Sequence, residues 1–138
     1  MSKIRGRLLI VDDDPDVLEM LTMYFSDGRF EVMTADRGAD AVTIARHHRP
    51  DAVLLDLFMP RGGMDGVEIL RALRTIDATI AVVMVTANAN ETLGRDTLAI
   101  GAFDYVSKPF DFDVLDPIVM AALVTGGSGW PPGSALAS

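Results

Sequence analysis

The sequence predicts an α/β fold: a doubly wound, five-stranded parallel sheet covered by helices on both faces, in three layers. Three observations carry that expectation. Short runs rich in β-branched and other apolar residues, at 7–11, 30–35, 51–56, 79–86 and 102–107, alternate with segments of helical periodicity. That alternation is the pattern of parallel strands joined by crossover helices. A length of 138 residues suits one domain, and 49% apolar residues furnish its core. There is no internal repeat, and no apolar run approaches the roughly 20 residues that a membrane helix needs.

Each element follows from local pattern. Residues 1–6 read as a short arm: "MSKIRGRLLIV" is basic but runs into aspartates before it can form a signal peptide's apolar region. The first strand is 7–11. In the first helix Val17, Leu18, Leu21, Tyr24 and Phe25 share a face, and Asp14 before Pro15 is its expected N-cap. Strand 30–35 leads to a second helix with Ala41, Val42 and Ala45 inward. His47 and His48 fall at its end, where the helix dipole and solvation account for them. Strand 51–56, "DAVLLD", precedes a third helix marked by Val67, Leu70 and Leu73. After strand 79–86, a fourth helix is expected from about Glu91 to Ile100, ended by Gly101. Strand 102–107 leads to a fifth helix interrupted by Pro117. A proline is cheap in the first helical turn and costs about 3 kcal/mol in the interior. The expectation is therefore Asp116 as N-cap and a short helix from Pro117 to Thr125. Residues 126–138, "GGSGWPPGSALAS", read as a tail or linker.

Composition narrows the function. Without cysteine there is no disulfide framework and no thiolate metal site, and the plain expectation is a cytoplasmic protein. A net charge of −8 with no dense Lys/Arg patch argues against direct nucleic-acid binding. Proteins and cations are the expected partners.

In doubly wound sheets, sites form beyond the carboxyl ends of the strands, where strand order reverses. Here strand one runs into Asp12, Asp13 and Asp14, strand three ends in Asp56, strand four in Thr86, and Lys108 follows strand five. Each has an ordinary reading as a cap, a loop residue or a solvated strand end. Asp56 is the exception, because it closes an apolar strand and precedes "LFMP" rather than a polar turn. Together they suggest more: hard oxygen ligands suit magnesium, and a neighbouring lysine suits a phosphoryl group.

These residues resemble the receiver domains of two-component response regulators, typified by the chemotaxis response regulator. The matching motifs are "VDDD", "LLDLFMP", "MDG", "VVMVTA" and "DYVSKPF", which span residues 7 to about 125 in family order. The resemblance implies a flavodoxin-like sheet of strand order 2-1-3-4-5. Asp56 would be the phosphorylated residue. Asp12, Asp13, Asp56 and the backbone carbonyl of Phe58 would bind Mg2+. Thr86, Ala87 and Lys108 would contact the phosphoryl group, with Tyr105 as switch aromatic and a cis bond from Lys108 to Pro109. It also implies a histidine kinase or histidine phosphotransferase upstream, and a downstream protein effector on the face of the fourth helix, fifth strand and fifth helix. The state expected is a monomer or weak homodimer, free-standing rather than cut from a longer regulator or hybrid kinase.

Elementary chemistry agrees with those roles. Two carboxylates about 4 Å apart repel by roughly 4 kcal/mol at an effective dielectric near 20. A divalent cation and one lysine, together about +3, balance three carboxylates at about −3. An ionised aspartate needs no general base to attack phosphorus. Phosphorylation adds charge, drawing the Thr86 hydroxyl inward and freeing space for Tyr105.

Two departures from the family pattern stand out. "PRGGMDG" places four residues, Arg61 to Met64, between Pro60 and Asp65, where many receivers have two; Pro117 alters the last helix. Phe58, apolar where a polar side chain could position water, predicts slow spontaneous dephosphorylation. The readings from other classes are a haloacid dehalogenase-type phosphatase, with Asp12 as nucleophile in an Asp-x-Asp pair with Asp14, and a receiver-like scaffold never phosphorylated. The first leaves "LLDLFMP" unexplained, and the second leaves the full residue set idle.

Overall fold

The computed structural model describes residues 6–60, 63–87 and 91–125. Most of the N-terminal arm, Arg61 and Gly62 of the lengthened loop, and the tail 126–138 lie outside the described residues. Elements alternate strictly: β1 (Gly6–Val11), α1 (Pro15–Phe25), β2 (Phe30–Ala35), α2 (Gly38–His48), β3 (Ala52–Asp56), α3 (Gly66–Ile76), β4 (Ala81–Ala87), α4 (Glu91–Ile100), β5 (Asp104–Lys108) and α5 (Phe112–Thr125). All strand pairs are parallel, in the order β2-β1-β3-β4-β5.

Alternating side chains divide the core into two layers. Leu9, Val11, Val53, Leu55, Val82 and Met84 pack with Ala41, Ala45, Ile69, Leu70 and Leu73 from α2 and α3. From the same strands, Leu8, Ile10, Leu54, Val83 and Val85 point the other way, onto Leu21 and Phe25 of α1 and Leu115, Val119 and Ala122 of α5. Strands buried on both faces read as continuous apolar runs, and β1, β3 and β4 carry such runs where they are buried.

Some boundaries differ from those expected, for local reasons. β1 begins one residue earlier, at Gly6, paired with Phe30. β3 begins at Ala52 rather than at residue 51. β4 starts at Ala81 because Thr79 belongs to a turn, its N–H and hydroxyl both donating to Asp77. β5 starts at Asp104 and runs on to Lys108. Gly101 ends α4 at φ +120°, the positive-φ role expected of it.

The clear correction is α5. It starts at Phe112, five residues before Pro117, and its N-terminal cap is Asp111. The Asp111 carboxylate accepts from the Asp113 N–H, and its carbonyl accepts from the Val114 and Leu115 N–H groups. Asp116 is therefore no cap. Its carboxylate accepts two hydrogen bonds from the Arg29 guanidinium, at 2.8 and 3.0 Å, and one from the Tyr24 hydroxyl at 2.7 Å. Tyr24 also stacks on Phe112, with ring centroids 3.9 Å apart. Tertiary anchoring of this turn, with burial of Leu115 and Val119, offsets the cost of an interior proline.

Candidate functional site

The reversal of strand order puts β1 beside β3, and the site forms at their carboxyl ends. Val11 pairs with Leu55, so Asp12 and Asp56 follow on adjacent strands at the same level. Asp56 pairs in turn with Val85, Thr86 with Ser107, and Ala87 with Lys108. Parallel register alone thus brings four separated motifs to one rim.

Asp12, Asp13 and Asp56 each offer an oxygen, all within 4.8 Å of one another. Asp12 and Asp56 are buried, at 2% and 7% exposure. Lys108 reaches across from β5, its Nζ 3.1 Å from Asp12 Oδ2 and 3.5 Å from Asp56 Oδ2. The Lys108–Pro109 peptide bond is cis. Burial and then the Asp12 charge push the Asp56 carboxyl up to about 6, against the pull of Lys108 and of the Phe58 N–H. For Lys108, burial favours the neutral amine, but Asp56 and Asp12 together outweigh it and raise its pKa.

The donor set is all oxygen, clustered and short of positive charge, which fits a hard divalent cation such as magnesium. Phe58 donates its N–H to Asp56 Oδ1 at 3.3 Å, while its ring is 65% exposed beside the site. Asp14 stands apart from the cluster. Its side chain accepts from the Asp16 N–H and caps α1, as expected, and its own N–H donates to Asp12 Oδ1 at 2.9 Å.

Thr86 is buried at 1% exposure, and its hydroxyl donates to the Ala87 carbonyl at 3.1 Å. Tyr105 is half-buried against the core layer shared with α3. Two glycines that bear on the site have structural reasons. A Cβ on Gly66 would lie 2.6 Å from the Asp56 carbonyl oxygen and 2.6 Å from Leu57 Cα, so the glycine of "MDG" lets α3 abut the end of β3. The other is Gly94 of α4, which sequence reasoning missed. A glycine inside a helical pattern carries no sign of what it touches.

This sheet order, with an acidic cluster at the reversal point and a lysine across it, defines the receiver class of signalling domain. Residues 8–120 match the family model of the response regulator receiver domain, and the chain belongs to that family. It is 41% identical over 118 residues to the regulatory protein AtoC of Escherichia coli strain K12, covering 86% of this chain and 25% of that protein. With the DNA-binding response regulator MtrA of Mycolicibacterium smegmatis it shares 43% identity over 110 residues, 80% of this chain and 47% of the relative. The chain therefore spans a quarter to about half the length of these relatives. Among solved structures, the receiver domain of NtrX from Brucella abortus superposes with a TM-score of 0.82 at 28% identity, covering 86% of this chain and 99% of that one. The signal receiver domain of a putative LuxO repressor protein from Vibrio parahaemolyticus gives 0.79 at 26% identity, covering 88% and 92%.

Proposed function

We propose that Asp56 is the phosphoacceptor of this receiver domain, taking its phosphoryl group from a sensor histidine kinase or histidine phosphotransferase. The observation that carries this reading is the Asp12, Asp13 and Asp56 cluster with Lys108 in contact with two of its members. Asp12, Asp13 and Asp56 would hold Mg2+, and the family pattern adds the Phe58 carbonyl. That ion supplies positive charge to the carboxylates and to the oxygens of the incoming group.

In the transfer, an Asp56 carboxylate oxygen forms a bond to the phosphorus while the donor's phosphorus–nitrogen bond breaks, its electron pair leaving with the imidazole. Lys108 exchanges part of its contact with Asp12 and Asp56 for a phosphoryl oxygen. Thr86 and the Ala87 backbone N–H supply further hydrogen bonds. As the Thr86 hydroxyl leaves the Ala87 carbonyl, Tyr105 turns inward, and the face of α4, β5 and α5 presents a changed surface to a protein effector.

The same reading takes residues 7–125 as the receiver domain, 126–138 as a tail or linker, and the cytoplasm as its place. Among the described residues no helix is long and apolar enough to cross a membrane. MtrA is named DNA-binding, but the net charge of −8 supports protein contacts rather than direct DNA contacts for this chain. A phosphatase with Asp12 as nucleophile would use Asp14 as its second acid, and Asp14 instead caps α1. Treatment with acetyl phosphate and Mg2+, followed by reductive trapping and peptide mapping, tests the assignment. Label on Asp56 is expected; label on Asp12 would overturn it.

A further inference from the structure

Gly94 sits inside α4 and is buried, at a position where glycine is a poor helix former. The place of its missing side chain is taken by the two switch residues. A Cβ there would stand 3.0 Å from Thr86 Cγ2, 3.2 Å from Tyr105 Cδ2 and 3.5 Å from Thr86 Cβ. The first two separations are inside the carbon–carbon optimum of about 3.5–4.0 Å. Thr86 is buried, so its methyl has little room to retreat.

The rotamer of Thr86 gives this contact a direction. With its hydroxyl on the Ala87 carbonyl, its methyl faces Gly94. The three staggered positions on Cβ hold hydroxyl, methyl and hydrogen. Any rotation about χ1 that frees the hydroxyl therefore takes the methyl from the Gly94 side and puts a smaller group there. A methyl added at residue 94 would press on the Thr86 methyl in the present packing, and less on the smaller group that replaces it after rotation.

We infer that Gly94 is a positioning residue of the switch. Its missing side chain keeps the space in which the Thr86 methyl and the Tyr105 ring rest, and through that contact α4 biases where the Thr86 hydroxyl points. The inference rests on the assignment of Asp56 as phosphoacceptor. It extends that assignment by naming the point on α4 through which Thr86 and the helix are coupled.

The test is a double-mutant cycle read by calorimetry, with beryllofluoride as the phosphoryl analogue at saturating Mg2+. Gly94→Ala should bind beryllofluoride about fivefold more tightly than wild type, because its contact with the Thr86 methyl crowds the unliganded rotamer and is relieved when that methyl rotates away. Thr86→Ser keeps the hydroxyl and removes the methyl, so adding Gly94→Ala in that background should gain less than about twofold. Unchanged or weaker binding by Gly94→Ala would overturn the inference, as would an undiminished gain in the serine background. If Gly94→Ala lowers the melting temperature, it should lower it less in the Thr86→Ser background than in wild type; an equal loss in both contradicts the contact with the Thr86 methyl. A wild-type protein that fails to bind beryllofluoride would strike the Asp56 assignment itself, and this inference with it.

Discussion

Asp12, Asp13 and Asp14 are adjacent in the chain yet meet different surroundings, because the backbone leaves β1 and enters α1 among them. Asp12 is buried and held by Lys108, Asp13 completes the cluster with Asp56, and Asp14 turns back to cap the helix. Asp13→Ala should abolish Mg2+-dependent phosphorylation of Asp56, whereas Asp14→Asn, which retains a capping side chain, should leave it largely intact. Phosphorylation rates at a fixed Mg2+ concentration check both, and an equally damaging Asp14→Asn would contradict the division. Phe58 yields a second prediction at this scale. Its exposed ring lies beside Asp56 without a polar group to orient water. Phe58→Asn should shorten the lifetime of the acyl phosphate by roughly threefold or more, about 0.7 kcal/mol of barrier, in a dephosphorylation time course. That Asp12, Asp13, Asp56 and Lys108 gather at one rim was legible in the sequence, because each closes or follows a strand. Gly94 was not, since only the folded chain shows Thr86 and Tyr105 beneath it.

Among the elements, α5 shows where local pattern loses to tertiary contact. By local rules Pro117 marked a helix start and Asp116 its cap, but the helix is capped by Asp111, five residues before Asp116. The Arg29 clamp on Asp116 joins residues 87 positions apart, which no local pattern discloses. The Arg29 guanidinium holds both Asp116 and Asp27 below the usual carboxylate range. The folded state therefore binds fewer protons at these sites than the unfolded chain does. Their contribution is complete above the unfolded pKa near 3.9 and is lost as the pH falls through the lower folded values. Arg29→Gln should cost about 1–2 kcal/mol of unfolding free energy near neutral pH. That deficit should shrink as the pH is lowered below about 4. Denaturant unfolding at a series of pH values measures it, and a deficit independent of pH would mean that the arginine acts by packing alone.

For the whole molecule, strand register sets the acidic rim beside the ends of β4 and β5, the route by which the proposed switch would reach the surface of α4, β5 and α5. Asp56 pairs with Val85 on β4, Thr86 follows directly, and Ser107 beside it leads along β5 to Tyr105 and Lys108. The sheet order was legible because alternating strands and helices admit few parallel arrangements and the family motifs fall at the strand ends. The packing of α4 against β4 and β5 was less so, because the helix turns Gly94 and Thr97 inward rather than a stripe of large apolar residues. A change of charge at Asp56 should therefore reach α4 and β5 through Thr86. The most direct test is an amide chemical-shift map of the wild type and of Thr86→Ala, with and without beryllofluoride and Mg2+. The account predicts wild-type shifts extending from the site through residues 86 and 87 into α4 and β5, and shifts confined to the site in Thr86→Ala. The same extended map in both proteins would contradict it.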